Sequence, residues 1–302
     1  MEILKFAAID IGSNAVRLLF MNVIEEGKES FFKKSSLIRV PMRLGTDTFL
    51  NKLISKKKEE KMIQTMKAFR HLMEVHEVIK YRACATSAMR EAANGMALIQ
   101  RIQEESGINI DIINGKQEAE IIFSNRIADE LDPEKHYLYV DVGGGSTEVT
   151  LFSKGECKLS ASFNIGTLKI LKNKVPKGEF ILLKECLLDI CPNCDRLEII
   201  GSGGNINKLV KYVAPAKEKQ MTYHELKKIY YKLKQFSYND LMLKFDMNPD
   251  RADVIIPAAT IFLSIMEWAS ADIIHVPKIG VTDGIIHQLY KEHRRNKLLI
   301  TQ

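Results

Sequence analysis

Ala8-Ile-Asp-Ile-Gly-Ser-Asn14 and Asp141-Val-Gly-Gly-Gly-Ser-Thr-Glu148 decide how this chain is read. In each, an apolar run closes on Asp-apolar-Gly, turns through small residues and enters a second apolar run, the pattern of a tight β-hairpin. The flanking runs are 6–11 and 16–24 in the first case, and 137–142 and 148–152 in the second. A third strand is expected after each, at 31–40 and at 157–163. Beyond it the first part alternates helical and extended periods. Met62, Met66, Phe69 and Met73 mark a helix, 81–85 a strand, and Thr86 or Ser87 caps one helix running to about Glu105, where Gly107 stops it. A strand at 108–113 and a helix over 117–129 follow. The second part has a helical stretch near 179–188, a strand at 197–200, a helix from about Asn205, two more helical segments, a strand at 273–276 and a last helix from Asp283. One α/β domain type used twice explains both halves, with an active site expected in the cleft between the copies. The polar, proline-bearing stretch 128–135 is the expected join, giving domains 1–127 and 128–302, with the last helix (about 283–295) free to pack back on the first.

Composition narrows the class. A length of 302 residues supports two cores, and 46% hydrophobic with 27% charged residues excludes a disordered chain. No apolar run approaches the roughly 20 residues of a membrane span, and the N-terminus lacks the regions of a signal peptide, so a cytoplasmic protein with no membrane partner is expected. The net charge of +6 admits an anionic ligand but is far from the concentrated charge of a nucleic-acid binder, so neither DNA nor RNA is expected. Five cysteines are too few and odd in number for a disulfide scaffold. Cys191-Pro-Asn-Cys194 is a lone CxxC and reads as loop thiols rather than a zinc or redox site. Lys56-Lys57-Lys58 reads as the solvated face of a helix.

The chemistry gathers at glycine loops. Gly12, Ser13 and Asn14 in the first turn, and Gly143, Gly144, Gly145 and Ser146 in the second, offer backbone N–H groups that can converge on an anion. Two copies at equivalent positions suggest a phosphate clamped between two loops. Asp141 and Glu148 add hard oxygen ligands of the kind Mg²⁺ prefers beside phosphate. A third loop, Ile199-Ile-Gly-Ser-Gly-Gly-Asn205, runs from a strand into a helix N-terminus, a ready anion site. Arg90 opposes the dipole of its own helix start, which either an anionic ligand or the neighbouring Glu91 explains. Glu118 and Glu120 suit a helix first turn by their charge alone. With no HExxH and no GxSxG, the base of any enzyme here is expected to be a carboxylate.

These segments resemble the exopolyphosphatase / guanosine pentaphosphate phosphohydrolase (Ppx/GppA) family over nearly the whole chain. Ala8–Asn14 is similar to its first phosphate loop, and Ala85-Thr-Ser-Ala-Met-Arg-Glu-Ala-Ala-Asn-Gly95 to the segment carrying its substrate arginine. Gly115-Lys-Gln-Glu-Ala119 is similar to Gly-x-Glu-Glu-Ala, whose second acid is catalytic; Asp141–Glu148 and Gly201-Ser-Gly-Gly-Asn-Ile206 are similar to the second phosphate loop and the third glycine motif. Two departures stand out. Gln117 replaces the first of the paired glutamates, and Val281-Thr-Asp-Gly-Ile-Ile replaces Leu-Arg-Glu-Gly.

The resemblance implies two ribonuclease H-like domains of the actin, sugar kinase and Hsp70 superfamily, in the short form without appended domains. It implies Mg²⁺-dependent hydrolysis of the terminal phosphoanhydride of polyphosphate, with guanosine pentaphosphate the alternative substrate. Glu118 would activate water and Arg90 would hold phosphate oxygens. Asp10, Gly12, Ser13, Asn14, Gly143, Gly144, Gly145, Ser146, Thr147, Gly203 and Gly204 would form the phosphate loops, and Asp141 and Glu148 would hold the metal. K⁺ as an activating ion, a homodimer and a preference for short polyphosphates belong to the same expectation. A kinase of the same superfamily and a noncatalytic module binding polyphosphate or an alarmone are the rival readings.

Overall fold

A computed structural model describes residues 1–27, 29–123, 132, 135–153, 156–190, 197–213, 219–277 and 280–300. The chain divides into two compact units, 1–127 with 279–302, and 128–278.

In the first unit β1 (Glu2–Ile11), β2 (Ala15–Glu26) and β3 (Glu29–Pro41) form an antiparallel meander, and β4 (Lys80–Ala85) and β5 (Ile110–Ile112) add in parallel beyond β1. The order is β3-β2-β1-β4-β5. In the second unit β6 (His136–Val142), β7 (Thr147–Ser153) and β8 (Glu156–Phe163) form the same meander, β9 (Leu197–Ser202) pairs in parallel with β6, and β10 (Gln220–Thr222) and β11 (Ile273–His275) complete the sheet. Its order, β10-β11-β9-β6-β7-β8, contains the first sheet's order with one antiparallel edge strand added. β1 and β6 are inner strands, which is why both read as nearly unbroken apolar runs rather than alternations.

Helices α1 (Leu44–Asn51), α2 (Lys56–Val75), α3 (Ser87–Glu91), α4 (Gly95–Ser106) and α5 (Gly115–Phe123) belong to the first unit. The second carries α6 (Thr167–Leu171), α7 (Glu179–Ile190), α8 (Gly204–Val213), α9 (Tyr223–Lys234), α10 (Tyr238–Lys244), α11 (Pro249–Ala252) and α12 (Ile255–Trp268). The apolar α12 is buried along Ile255, Ala258, Ala259, Ile261, Phe262, Ile265 and Met266 and forms the centre of that unit's core. The closing helix α13 (Val281–Ile300) packs on β1, β2, β4 and α5, so it belongs to the first unit rather than to 128–302.

Two local expectations are corrected. The single helix expected from Thr86 to Glu105 is two, because the backbone turns extended at Ala92 and Asn94 is bound elsewhere. The Asn94 amide donates to Ile54 O and to Glu59, and its oxygen accepts from Ile54 N, three contacts with chain about 40 residues away. Lys58 is not a solvated charge: its ammonium donates to Arg43 O, Thr46 and Asp47, each at 2.6 Å, closing the start of α1. The 128–135 join falls mostly outside the described residues, as do Cys191 and Cys194.

Gly284 sets how closely α13 meets α5. A Cβ there would lie 1.9 Å from the carbonyl oxygen of Ile121. Helix propensity alone would make Gly284→Ala stabilising by up to about 1 kcal/mol. The backbone contact reverses the sign, and Gly284→Ala is expected to cost about 1–3 kcal/mol as two helices are forced apart. Gly280→Ala, with open space at its Cβ, is the near-neutral control. Urea unfolding of the two variants checks this, and a stabilised Gly284→Ala would show that the helices part freely.

Candidate active site

The two hairpin loops have a common construction. Gly12 N donates to Ala15 O at 3.1 Å, and Gly143 N to Ser146 O at 2.9 Å. Behind each loop lies the chain that follows the third strand of its meander. Arg43 N and Gly45 N, at the start of α1, donate to Asn14 O and Ser13 O at 2.8 and 2.9 Å. Thr167 N and Leu168 N, at the start of α6, donate to Gly143 O and Gly144 O at 3.0 and 2.9 Å. A trans peptide holds its C=O and N–H antiparallel, so carbonyls drawn toward the helix turn the N–H groups of Asn14, Gly144 and Gly145 the other way. Gly166 permits the second arrangement, since a Cβ there would sit 2.3 Å from Gly144 O and 2.4 Å from Gly145 N.

The hairpins differ in what faces their aspartates. Asp10 pairs across the strands with Arg17, and Arg17 Nη1 donates to Asp10 Oδ2 at 2.6 Å. Asp141 instead pairs across the strands with Glu148, a second carboxylate. Glu148 is 3% exposed and accepts from Ser162 Oγ at 3.0 Å. The first hairpin thus pairs a carboxylate with a guanidinium, whereas the second sets two carboxylates opposite one another. Thr147, expected to bind phosphate, is fully buried with its hydroxyl donating to Ile165 O at 2.6 Å, so its side chain holds the loop.

The third glycine loop lies beside the second because β9 neighbours β6, placing Ser202 opposite Asp141. Gly203 has φ +108°, and a Cβ there would come within 3.3 Å of Asp141 Oδ1 and Val142 O. Gly204 is the first residue of α8.

In the first unit, adjacency of β1, β4 and β5 brings their C-terminal ends to one edge, and with them loop 12–14, α3 and α5. Buried Ser13 and Ser87 are joined Oγ to Oγ at 2.9 Å, tying the loop to the helix that carries Arg90. The Arg90 guanidinium donates to Ile113 O at 2.7 Å, which aims it along the end of β5 toward the α5 start. Glu118 is buried, 8% exposed, in the first turn of α5. Burial pushes the Cys84 thiol up to about 12, so this cysteine on β4 is no nucleophile at neutral pH.

Gln117 has a role that the motif comparison missed. Asn114 N donates to Gln117 Oε1 and Gln117 N donates to Asn114 Oδ1, both at 2.9 Å, a reciprocal cap of α5. The Asn-x-x-Gln spacing was itself the sequence signal. Position 117 therefore holds the helix start, and Glu118 needs no acidic neighbour to be placed.

The chain matches the Ppx/GppA phosphatase family over residues 23–186 and belongs to it. It is 29% identical over 300 residues to a bifunctional 3-dehydroquinate synthase/phosphatase of Fusobacterium nucleatum, covering 89% of this chain and 44% of that protein. It is 26% identical to exopolyphosphatase 1 of Mycobacterium tuberculosis, covering 57% and 49%. With the guanosine-5′-triphosphate,3′-diphosphate pyrophosphatase of Vibrio vulnificus the figures are 22%, 97% and 61%. The chain thus spans about half the length of the curated relatives it matches. Among solved structures, the Aquifex aeolicus Ppx/GppA family member superposes with a TM-score of 0.77 at 26% identity, covering 97% of this chain and 99% of that one. An exopolyphosphatase from Cytophaga hutchinsonii, at 20% identity and TM-score 0.81 over 95% and 98%, shares the fold. Both units accordingly have the actin-like ATPase fold.

The cap assigns Gln117 a stability effect. Gln117→Ala is expected to cost about 1 kcal/mol, the usual worth of a helix cap, and Gln117→Glu to cost little, as read by thermal unfolding. Equal midpoints for Gln117→Ala and the parent would remove the cap from the account.

Proposed function

We propose that this chain hydrolyses the terminal phosphoanhydride of inorganic polyphosphate, releasing orthophosphate. The observation that carries the reading is the construction of the loops at 12–14 and 143–146, whose carbonyls are bound from behind so that Asn14, Gly144 and Gly145 present N–H groups. Membership of the family and similarity to a protein named exopolyphosphatase support the substrate class. Similarity to the Vibrio pyrophosphatase over 97% of the chain favours a second substrate, guanosine pentaphosphate, cleaved by the same groups.

Asp141 and Glu148 fit a divalent cation. They are opposed carboxylates. Carboxylate oxygens suit Mg²⁺, which keeps several waters and takes phosphate oxygens as further ligands. When bound, the ion supplies positive charge against the reacting phosphate.

In this reading Glu118 accepts a proton from the attacking water as its oxygen bonds to the terminal phosphorus. The bridging P–O bond breaks, and its electron pair leaves on a polyphosphate one unit shorter. Arg90 holds phosphate oxygens with its planar fork. The carbonyl of Ile113 fixes that fork before substrate arrives, which limits the reorganisation needed at the transition state.

Glu118→Gln is expected to lower kcat by about 10²–10⁴, the usual contribution of a positioned base. Arg90→Ala is expected to raise KM and lower kcat together. Phosphate release from polyphosphate and from guanosine pentaphosphate, with and without a Mg²⁺ chelator, measures both. Parental turnover by Glu118→Gln would contradict its assignment, and release insensitive to chelation would contradict the carboxylate pair.

A further inference from the structure

Charge is unevenly distributed along the chain. Residues 204–246 contain nine lysines, no arginine and four acidic residues, so this segment alone holds a net +5 of the chain's +6. Lys227, Lys228, Lys232 and Lys234 are all exposed on α9, which packs on α8 and α12. At 100° per residue, Lys227 and Lys234 form one border of its outer face and Lys228 and Lys232 the other, with His224 and Tyr231 between. The lysines span about 10 Å of helix axis.

Acidic groups do not balance this face. Some lysines elsewhere are matched to carboxylates, as in Lys5 with Glu77 at 2.6 Å, Lys67 with Glu105 at 2.8 Å and Lys135 with Glu198 at 2.7 Å, while others such as Lys56 and Lys57 have no ion pair among the described residues. None of the four α9 lysines has a carboxylate within 4.0 Å among the described residues. Glu225 is held in a capping box by Thr222, and Asp240 in another by Ser237. Three ammonium groups lie instead over rings: Lys227 over Tyr223 at 5.4 Å, Lys234 over Tyr230 at 5.6 Å and Lys232 over Phe245 at 5.7 Å. Rings order the lysine stems without neutralising them. Favourable interaction with the helix dipole accounts for Lys232 and Lys234 in the last turn but not for Lys227 and Lys228. Lys228 and Lys232 also repel each other across one turn.

We propose that this lysine face holds the distal stretch of a long inorganic polyphosphate chain. The proposal rests on the phosphohydrolase reading and deepens it, and it reverses the expected preference for short chains. Separated point charges along 10 Å suit a repeating phosphate polymer, whereas a single phosphate is better served by a glycine loop or a bidentate fork. Single-stranded nucleic acid would need several free aromatic faces for its bases. Here Tyr223, Tyr230 and Phe245 already lie beneath lysines, leaving Tyr231 alone on the face. The polymer's neighbourhood is consistent, because α9 packs on the helix that begins at the third glycine loop.

The test replaces Lys227, Lys228, Lys232 and Lys234 together by Ala in the full chain, with Lys228→Glu as a second variant that leaves the lysine–ring pairs intact. End-labelled long-chain polyphosphate is titrated by fluorescence anisotropy at several salt concentrations, and phosphate release is followed from long-chain polyphosphate and from tripolyphosphate. The quadruple variant should bind the long chain at least about tenfold more weakly and lose about three from the slope of log affinity against log salt. Lys228→Glu should show the same loss in smaller measure, and turnover of tripolyphosphate should stay at the parental level in both. Unchanged long-chain affinity and salt slope would overturn the proposal, as would an equal loss with tripolyphosphate. Equally tight, lysine-dependent binding of single-stranded RNA would reassign the face and overturn it too. If the parent binds long polyphosphate through these lysines yet releases no phosphate, the surface stands and the phosphohydrolase reading fails.

Discussion

Backbone hydrogen bonds from the starts of α1 and α6 into the carbonyls of the two hairpin loops are the constraint on which the site depends. They determine which way the loop peptides face, and so whether the turns offer donors or acceptors to a phosphate. Gly166 is bare so that α6 can reach Gly144, and Thr147 directs its hydroxyl into Ile165 O rather than toward a ligand. An anion site made of backbone donors needs little net charge around it, which is compatible with +6 overall.

The duplicated meander then assigns different chemistry to equivalent positions. Asp10 faces Arg17, while Asp141 faces Glu148. The same i, i+7 hairpin register therefore gives an ion pair in one unit and two opposed carboxylates in the other. The first unit carries Arg90, whose guanidinium donates to Ile113 O, and the buried carboxylate of Glu118, on the helices that follow the parallel strands β4 and β5.

Much of this was legible in the sequence where the deciding interactions are local. Asp-apolar-Gly before a small-residue turn between two apolar runs announces a hairpin, and both hairpins form at the expected residues. Less legible were features set by contacts between distant segments. The helix expected from Thr86 to Glu105 breaks because Asn94 binds Ile54 and Glu59, and nothing near Asn94 in sequence signals that. Lys58 looked solvated because its partners, Arg43 O and Asp47, lie 15 and 11 residues away. Gln117 is the opposite case. Its cap with Asn114 is three residues long and readable, but it was eclipsed by the missing acid of the Glu-Glu pair. The lysine face of α9 was hidden by averaging, since whole-chain charge conceals where the charge sits.

The orientation of the loop peptides is tested most directly by amide nuclear magnetic resonance of the ¹⁵N-labelled chain during titration with orthophosphate in the presence of Mg²⁺. The account predicts saturable shifts at the Asn14, Gly144 and Gly145 N–H resonances, larger than those of the other loops. Resonances at these three positions that stay still while phosphate saturates groups elsewhere would contradict it.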